Sequence, residues 1–233
     1  MKLNSQTPEK KDYQSTLEVH SIFSTIQGEG PFCGRPAVFV RLAGCNLQCP
    51  GCDTEYTEGR ERMTYGDILD HVYHQKMETR SNANLIVISG GEPFRQNITP
   101  FCDFLIENDF DVQIETNGSM AIPLELSQLV TVVCSPKTAK LHPSALHRAN
   151  AFKYVLKANS VRQEDGLPLQ ALDHRATPFI ARPPKSFKGK IYLQPMDEQD
   201  AGYNADNVAA VLESAMKFNY TVQLQIHKLL NVE

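Results

Sequence analysis

Short apolar runs recur along the chain at intervals that leave room for a helix between one run and the next: Ala37–Leu42, Leu85–Ser89, Val112–Glu115, Leu129–Cys134, Phe152–Leu156, Ile191–Leu193 and Thr221–Ile226. Most are β-branched and nearly continuous, the pattern of strands covered on both faces. Their alternation with helix-length segments predicts βαβ units and a largely parallel sheet. Thr64 followed by Asp67 has the form of a capping box, and Ile68, Leu69, Val72 and Tyr73 then share one helical face. Thr99-Pro100 opens a second helix with Phe101, Phe104 and Leu105 as its stripe. A third starts at Asn204 or Asp206 and is expected to bury Val208, Val211, Leu212 and Met216. Met1–Thr16 is polar and without periodicity, which predicts a mobile tail ahead of one domain spanning 17–233. Pro168, Pro178, Pro183 and Pro184 leave the helical content of Ala158–Lys190 open.

Polar or glycine-containing residues come directly after each run: Arg41 to Cys45, Ser89 to Pro93, Glu115 to Gly118, Ser135 to Lys137, Lys157, Gln194 to Asp197, and His227-Lys228. In βα barrels the loops at that end of the strands converge on the active site. The expected architecture is a complete or partial βα barrel, with an open doubly wound sheet as the alternative.

Composition narrows the function classes. A length of 233 residues suits one large domain or two small ones, and 41% hydrophobic residues exclude wholesale disorder. The formal charge of -4 encodes no general attraction to nucleic acid or anionic lipid. The apolar runs fall well short of the roughly 20 residues that cross a bilayer, and the N-terminus has no apolar signal core, so a soluble cytoplasmic protein is expected. In that setting six cysteines suggest metal or redox chemistry. Cys33, Cys102 and Cys134 are scattered and read as small buried hydrophobes. Cys45, Cys49 and Cys52 form C-x3-C-x2-C directly after the first apolar run, a spacing that can hold three corners of a [4Fe–4S] cubane and leave the fourth iron open to a small molecule. A closed zinc site is the competing reading; it usually takes two separated pairs, and no second pair is present.

This triad, followed by Gly90-Gly91-Glu92-Pro93, resembles the radical S-adenosylmethionine superfamily. Ile26-Gln27-Gly28-Glu29-Gly30, Cys52-Asp53-Thr54, Ser135-Pro136-Lys137 and Gln225-Ile226-His227-Lys228 narrow the resemblance to the 7-carboxy-7-deazaguanine synthases, over Ser21 to Glu233. The resemblance implies a partial TIM-like barrel and a carbon–nitrogen lyase. The implied reaction contracts 6-carboxy-5,6,7,8-tetrahydropterin to 7-carboxy-7-deazaguanine with loss of ammonia, on the route to queuosine. It implies a [4Fe–4S] cluster, S-adenosylmethionine and Mg2+, with Thr54 as the magnesium ligand and Asp53 as its rival. Gly90, Gly91, Glu92, Ser135, Pro136, Lys137, Gln194, Pro195, Met196 and Asp197 are carried over as contacts of S-adenosylmethionine. Ile26, Gln27, Gly28, Glu29, Arg41, Ser89, His227 and the terminal carboxylate of Glu233 are carried over as contacts of the pterin. A reductant such as flavodoxin and a homodimer are further implications. A radical activase acting on a protein glycine is the alternative enzyme, and an iron–sulfur or zinc binding module the alternative outside catalysis. The Gln27–Gly30 loop, Thr54 and His227-Lys228 favour the small pterin.

Overall fold

The computed structural model describes residues 16–52, 54–173 and 178–232. Its strands are β1 (Thr16–Ile26), β2 (Pro36–Leu42), β3 (Glu61–Thr64), β4 (Leu85–Gly90), β5 (Asp111–Thr116), β6 (Thr131–Cys134), β7 (Ala151–Leu156), β8 (Lys190–Pro195) and β9 (Thr221–Val222). Its helices are α1 (Tyr65–Glu78), α2 (Thr99–Glu107), α3 (Pro143–Arg148), α4 (Ala201–Phe218) and α5 (Ile226–Leu230). The strands form one nine-stranded sheet in the order β3-β1-β2-β4-β5-β6-β7-β8-β9. From β2 to β9 every pairing is parallel, whereas β1 runs antiparallel to both β2 and β3. The sheet is a partial βα barrel, left open between its edge strands.

The parallel register sorts the side chains into two faces. Phe39 lies beside Val87 and Val87 beside Gln113, while Arg41 lies beside Ser89. With a period of two, Val38, Val40, Ile86, Ile88, Val112 and Ile114 therefore point the other way, and all six are fully or almost fully buried in the main core under α1 and α2. A second core on the same outer face joins Phe152, Tyr154, Leu156 and Leu193 to Val211 and Ala215 of α4. On the inner face only small clusters remain apolar, Ala37, Leu85 and Val87 with Phe32 and Phe39 in one, Val133, Ala151 and Tyr192 in another.

Helix α1 begins where the sequence expects it. Thr64 accepts from the Asp67 amide at 3.1 Å, and the Asp67 carboxylate accepts from the Thr64 amide at 3.0 Å, so two otherwise unpartnered helix-end donors are satisfied. Several boundaries differ from expectation. Thr16 opens β1 instead of closing a tail, and residues 1–15 of that tail lie outside the described residues. Strand β1 escapes a search for continuous apolar runs because it is antiparallel and alternates in burial, with Glu18, His20 and Ser24 between its apolar positions. Helix α4 starts earlier, at Ala201, because Asp200 caps it by accepting from the Gly202 and Tyr203 amides. Of its expected buried residues Val211 is enclosed, but Val208, Leu212 and Met216 are exposed. The expected strand Thr221–Ile226 pairs only over Thr221–Val222, and Ile226 instead begins the short helix α5. Among the described residues of 158–190 the chain forms turns and one isolated bridge, Val161 to Pro168, with no helix.

Removing the hydroxyl that caps α1 tests this local logic. Thr64→Ala is expected to destabilise the fold by ~1 kcal/mol in chemical denaturation.

Candidate active site at the strand ends

A cavity of about 640 Å³ lies among the C-terminal ends of the parallel strands and the β1–β2 loop, which enters from their N-terminal side because β1 is antiparallel. It gathers Ile26 from the end of β1, Gln27, Gly28 and Glu29 from the loop after it, Arg41 from β2, and Cys45, Cys49, Cys52 and Thr54 from the loop beyond β2. Ser89, Gly90 and Gly91 enter from β4, Ser135 and Lys137 from beyond β6, Gln194 to Asp197 from β8, and His227 from α5. Of the remaining expected site residues, Glu92 and Pro136 sit beside this set without lining it, and Asp53 and Glu233 lie outside the described residues.

The glycine pair is explained by backbone packing. A Cβ on Gly90, whose φ is +120°, would fall 2.1 Å from the Leu42 carbonyl oxygen, and one on Gly91 would fall 1.9 Å from that of Gly44. Only glycine lets the end of β4 lie this close to the start of the cysteine loop. Next to it, Glu92 is 1% exposed and turned inward, where its carboxylate accepts from Thr116 Oγ1 at 2.7 Å and from the Asn117 amide at 2.8 Å. Burial raises its pKa, and these hydrogen bonds only partly offset the effect.

The cysteine loop is pinned at several points. The Gly44 amide donates to the Tyr56 carbonyl at 2.8 Å, Tyr56 Oη donates to the Leu47 carbonyl at 3.2 Å, and the Gly51 amide donates to the Leu172 carbonyl at 2.9 Å. Leu172 and Asp173 hold that contact with consecutive left-handed conformations, φ 49° and 55°. None of the three thiols of the triad is in a disulfide, and all three residues line the one cavity. Burial pushes the Cys45 thiol up to about 11 and raises that of Cys49, so metal loading has to displace protons from desolvated sulfur. Three thiols at one cavity are the donor set of a [4Fe–4S] cubane, in which each thiolate takes its own iron. Outside the triad, Cys102 and Cys134 are buried as expected, but Cys33 is exposed.

Opposite the triad, polar side chains replace the barrel's inner apolar layer. Glu115 accepts from Gln27 Nε2 at 3.1 Å, from Gln113 Nε2 at 3.3 Å and from Ser89 Oγ at 3.2 Å. Lys153 of β7 forms a buried ion pair with Glu29. Burial pushes the Glu29 carboxyl up, but the Lys153 charge and hydrogen bond, the Gln225 amide and the His227 charge outweigh it, and the net direction is down. Burial lowers the Lys137 pKa, and the Lys153 charge adds to the effect; Lys137 Nζ donates to Ser135 Oγ at 2.7 Å. The guanidinium of Arg41 lies over the Phe23 ring, 4.8 Å from its centre.

The gap in the sheet is crossed by the loop after β1. Its Gly30 amide donates to Gln223 Oε1 at 2.6 Å, Gln225 Nε2 donates to Glu29 Oε1 at 2.9 Å, and a Cβ on Gly28 would fall 1.9 Å from His227 Nδ1. Lys153 and Gln223 were not singled out by sequence reasoning. Lys153 carried a usable signal, since like Arg41 it puts a cation inside an apolar run.

Comparison with known proteins decides the family. Residues 26–117 match a family described as a 4Fe-4S single cluster domain. The 7-carboxy-7-deazaguanine synthase of Rhodospirillum rubrum is 36% identical over 231 residues, covering 97% of this chain and 96% of the relative. The chain belongs to the 7-carboxy-7-deazaguanine synthase family. The synthase of Escherichia coli is 31% identical, covering 92% of this chain and 98% of the relative. The crystal structure of QueE from Escherichia coli superposes with a TM-score of 0.67 at 26% identity, covering 90% of this chain and 93% of that one. The partial barrel is thus the fold of that structure.

At the rim of this cavity Asp197 accepts from the Gln199 amide at 3.0 Å and from Lys228 Nζ at 3.0 Å, and its pKa is lowered to about 2 by those bonds and that from Asn204. A depressed carboxylate contributes stability above its unfolded range near pH 3.9 and loses it as pH falls through its folded value. The difference in melting temperature between the wild type and Asp197→Asn is therefore expected to shrink as pH falls from about 4 to 2.

Proposed function

We propose that the chain is a 7-carboxy-7-deazaguanine synthase that contracts 6-carboxy-5,6,7,8-tetrahydropterin to 7-carboxy-7-deazaguanine with loss of ammonia. The single observation that carries the reading is one cavity lined on one side by Cys45, Cys49 and Cys52 and on the other by Gln27, Arg41, Ser89, Glu115 and His227, in a chain of this family. Its cofactors are a [4Fe–4S] cluster, which Cys45, Cys49 and Cys52 would hold, and S-adenosylmethionine. Together these supply a 5′-deoxyadenosyl radical when bound. Substrate and product differ by one ammonia, so the conversion needs no net oxidant.

The residues of the chain bind, orient and shield. Arg41, a planar donor set on an aromatic ring, suits the pterin carboxylate. Gln27, Glu29, Glu115 and His227 offer donors and acceptors to the guanidine-like edge of the ring. Gly90, Gly91, Ser135, Lys137 and Gln194 to Asp197 form the wall carried over for S-adenosylmethionine; Glu92 and Pro136, carried over with them, do not line it. The Gly51 amide bond to the Leu172 carbonyl ties the cysteine loop to the segment that follows β7. A glycine activase would act on another protein's backbone; Gln27, Glu29 and His227 at the cavity, with Thr54 at its wall, favour the small pterin instead. An electron donor such as flavodoxin, a homodimer and a cytoplasmic setting complete the reading; no helix among the described residues is long and apolar enough to cross a membrane.

Anaerobic incubation of the reduced protein with the pterin, S-adenosylmethionine and Mg2+ tests the reaction, with a product lighter by one ammonia as the expected mass. Cys45→Ala, Cys49→Ala and Cys52→Ala are each expected to abolish turnover and bound iron, whereas Cys102→Ala retains both; product from a triad variant without iron would defeat the assignment.

Thr54, at the cavity wall beside Cys52, is our magnesium ligand, since Mg2+ takes oxygen donors and commonly bridges protein to substrate oxygens. Thr54→Ala is expected to lower activity and flatten its magnesium dependence with iron content intact, and an unchanged magnesium response would count against the site.

A further inference from the structure

Lys153 is the one charged residue of β7, and it points inward from mid-strand to meet Glu29 on the loop that crosses the barrel's gap. Both side chains are close to nine-tenths buried, at 12% and 11% exposure. The second Glu29 oxygen accepts from Gln225 Nε2 at 2.9 Å. The Glu29 amide donates to Gln27 Oε1 at 3.0 Å, and Gln27 Nε2 donates on to Glu115 at 3.1 Å. A carboxylate so enclosed is costly unless a cation and hydrogen-bond donors compensate it. Without the lysine, Glu29 would take up a proton or turn toward solvent, and either change would release Gln225 and loosen the loop that carries Gln27.

We propose that Lys153 is a positioning residue for the pterin: it holds Glu29 charged and in one orientation, and through Glu29 it fixes the Gln27–Gly30 loop against the cavity. The assignment rests on the function proposed above and adds a residue that works through another instead of through the cluster. Its direct ion pair is with the substrate loop; its charge also reaches Lys137, while the cysteine loop is pinned separately by Tyr56 and Leu172.

The test is anaerobic steady-state kinetics with 6-carboxytetrahydropterin at saturating S-adenosylmethionine, arranged as a double-mutant cycle. Lys153→Met and Glu29→Gln are each expected to raise the pterin KM by about tenfold, with kcat, iron content and S-adenosylmethionine affinity little changed. The double variant Glu29→Gln/Lys153→Met is expected to match Glu29→Gln alone. It removes both buried charges together, so it keeps the comparison available if the unpaired Glu29 of Lys153→Met prevents folding. An unchanged KM in Lys153→Met, or a further rise in the double variant over Glu29→Gln, would overturn the proposal, the latter by showing that Lys153 meets the substrate directly. Absence of pterin turnover in the wild-type enzyme would defeat the functional reading itself, and this assignment with it.

Discussion

The closeness of two backbones, where β4 ends against the residues leaving β2, sets the geometry of everything above the sheet. Gly90 and Gly91 have no Cβ to hold those segments apart, so the Glu92 amide reaches the Gly44 carbonyl at 2.9 Å and the cysteine loop starts directly over the end of β4. Glu92 then turns under the loop and takes Thr116 and Asn117, which ties in the end of β5. Three consecutive strand ends are joined in this way, the last through Thr116 Oγ1 and the Asn117 amide. The polar groups of the inner face bond among themselves, Gln27, Ser89 and Gln113 to Glu115 and Lys153 to Glu29.

The second dependence is closure. Parallel strands run from β2 to β9 and stop, and no strand pairing joins the two edges of the sheet among the described residues. The loop after β1 spans the opening by side-chain and amide contacts to Gln223, Gln225 and Lys153, with Gly28 leaving room for the His227 ring. Side-chain closure is weaker per contact than a strand ladder, but it places polar atoms where a ladder would leave only backbone. Gly28, Glu29, Lys153, Gln225 and His227 serve both as wall of the cavity and as seal of the barrel.

Much of this was legible in the sequence because parallel strands buried on both faces leave continuous apolar runs, and six of the seven runs became strands close to the expected positions. The cysteine triad and the glycine pair were legible for a different reason, since close spacing along the chain guarantees proximity in space. The terms that failed were set by tertiary partners. Val208, Leu212 and Met216 follow a helical period, yet α4 buries Asn207, Val211, Ser214 and Ala215 instead, the side that faces β7 and β8. Asn207 illustrates why: its side chain donates to the Met196 carbonyl at 2.9 Å and accepts from the Ala158 amide at 2.8 Å, fixing the rotation of the helix by polar contacts that hydropathy does not register. Lys153 and Gln223 matter through partners 124 and 193 residues away, which no local pattern encodes.

The inner and outer faces of the strands obey different rules although their residues alternate along the same backbone. In β2, β4 and β5 the even positions Val38, Val40, Ile86, Ile88, Val112 and Ile114 hold the core, and the odd positions Arg41, Ser89, Gln113 and Glu115 form the ligand side. Neighbours in sequence therefore answer to separate selection, one residue for cohesion and the next for chemistry. A scaffold interleaved in this manner can drift in what it recognises without drifting in what it is, since a change of specificity at one position leaves the hydrophobic neighbours on either side untouched.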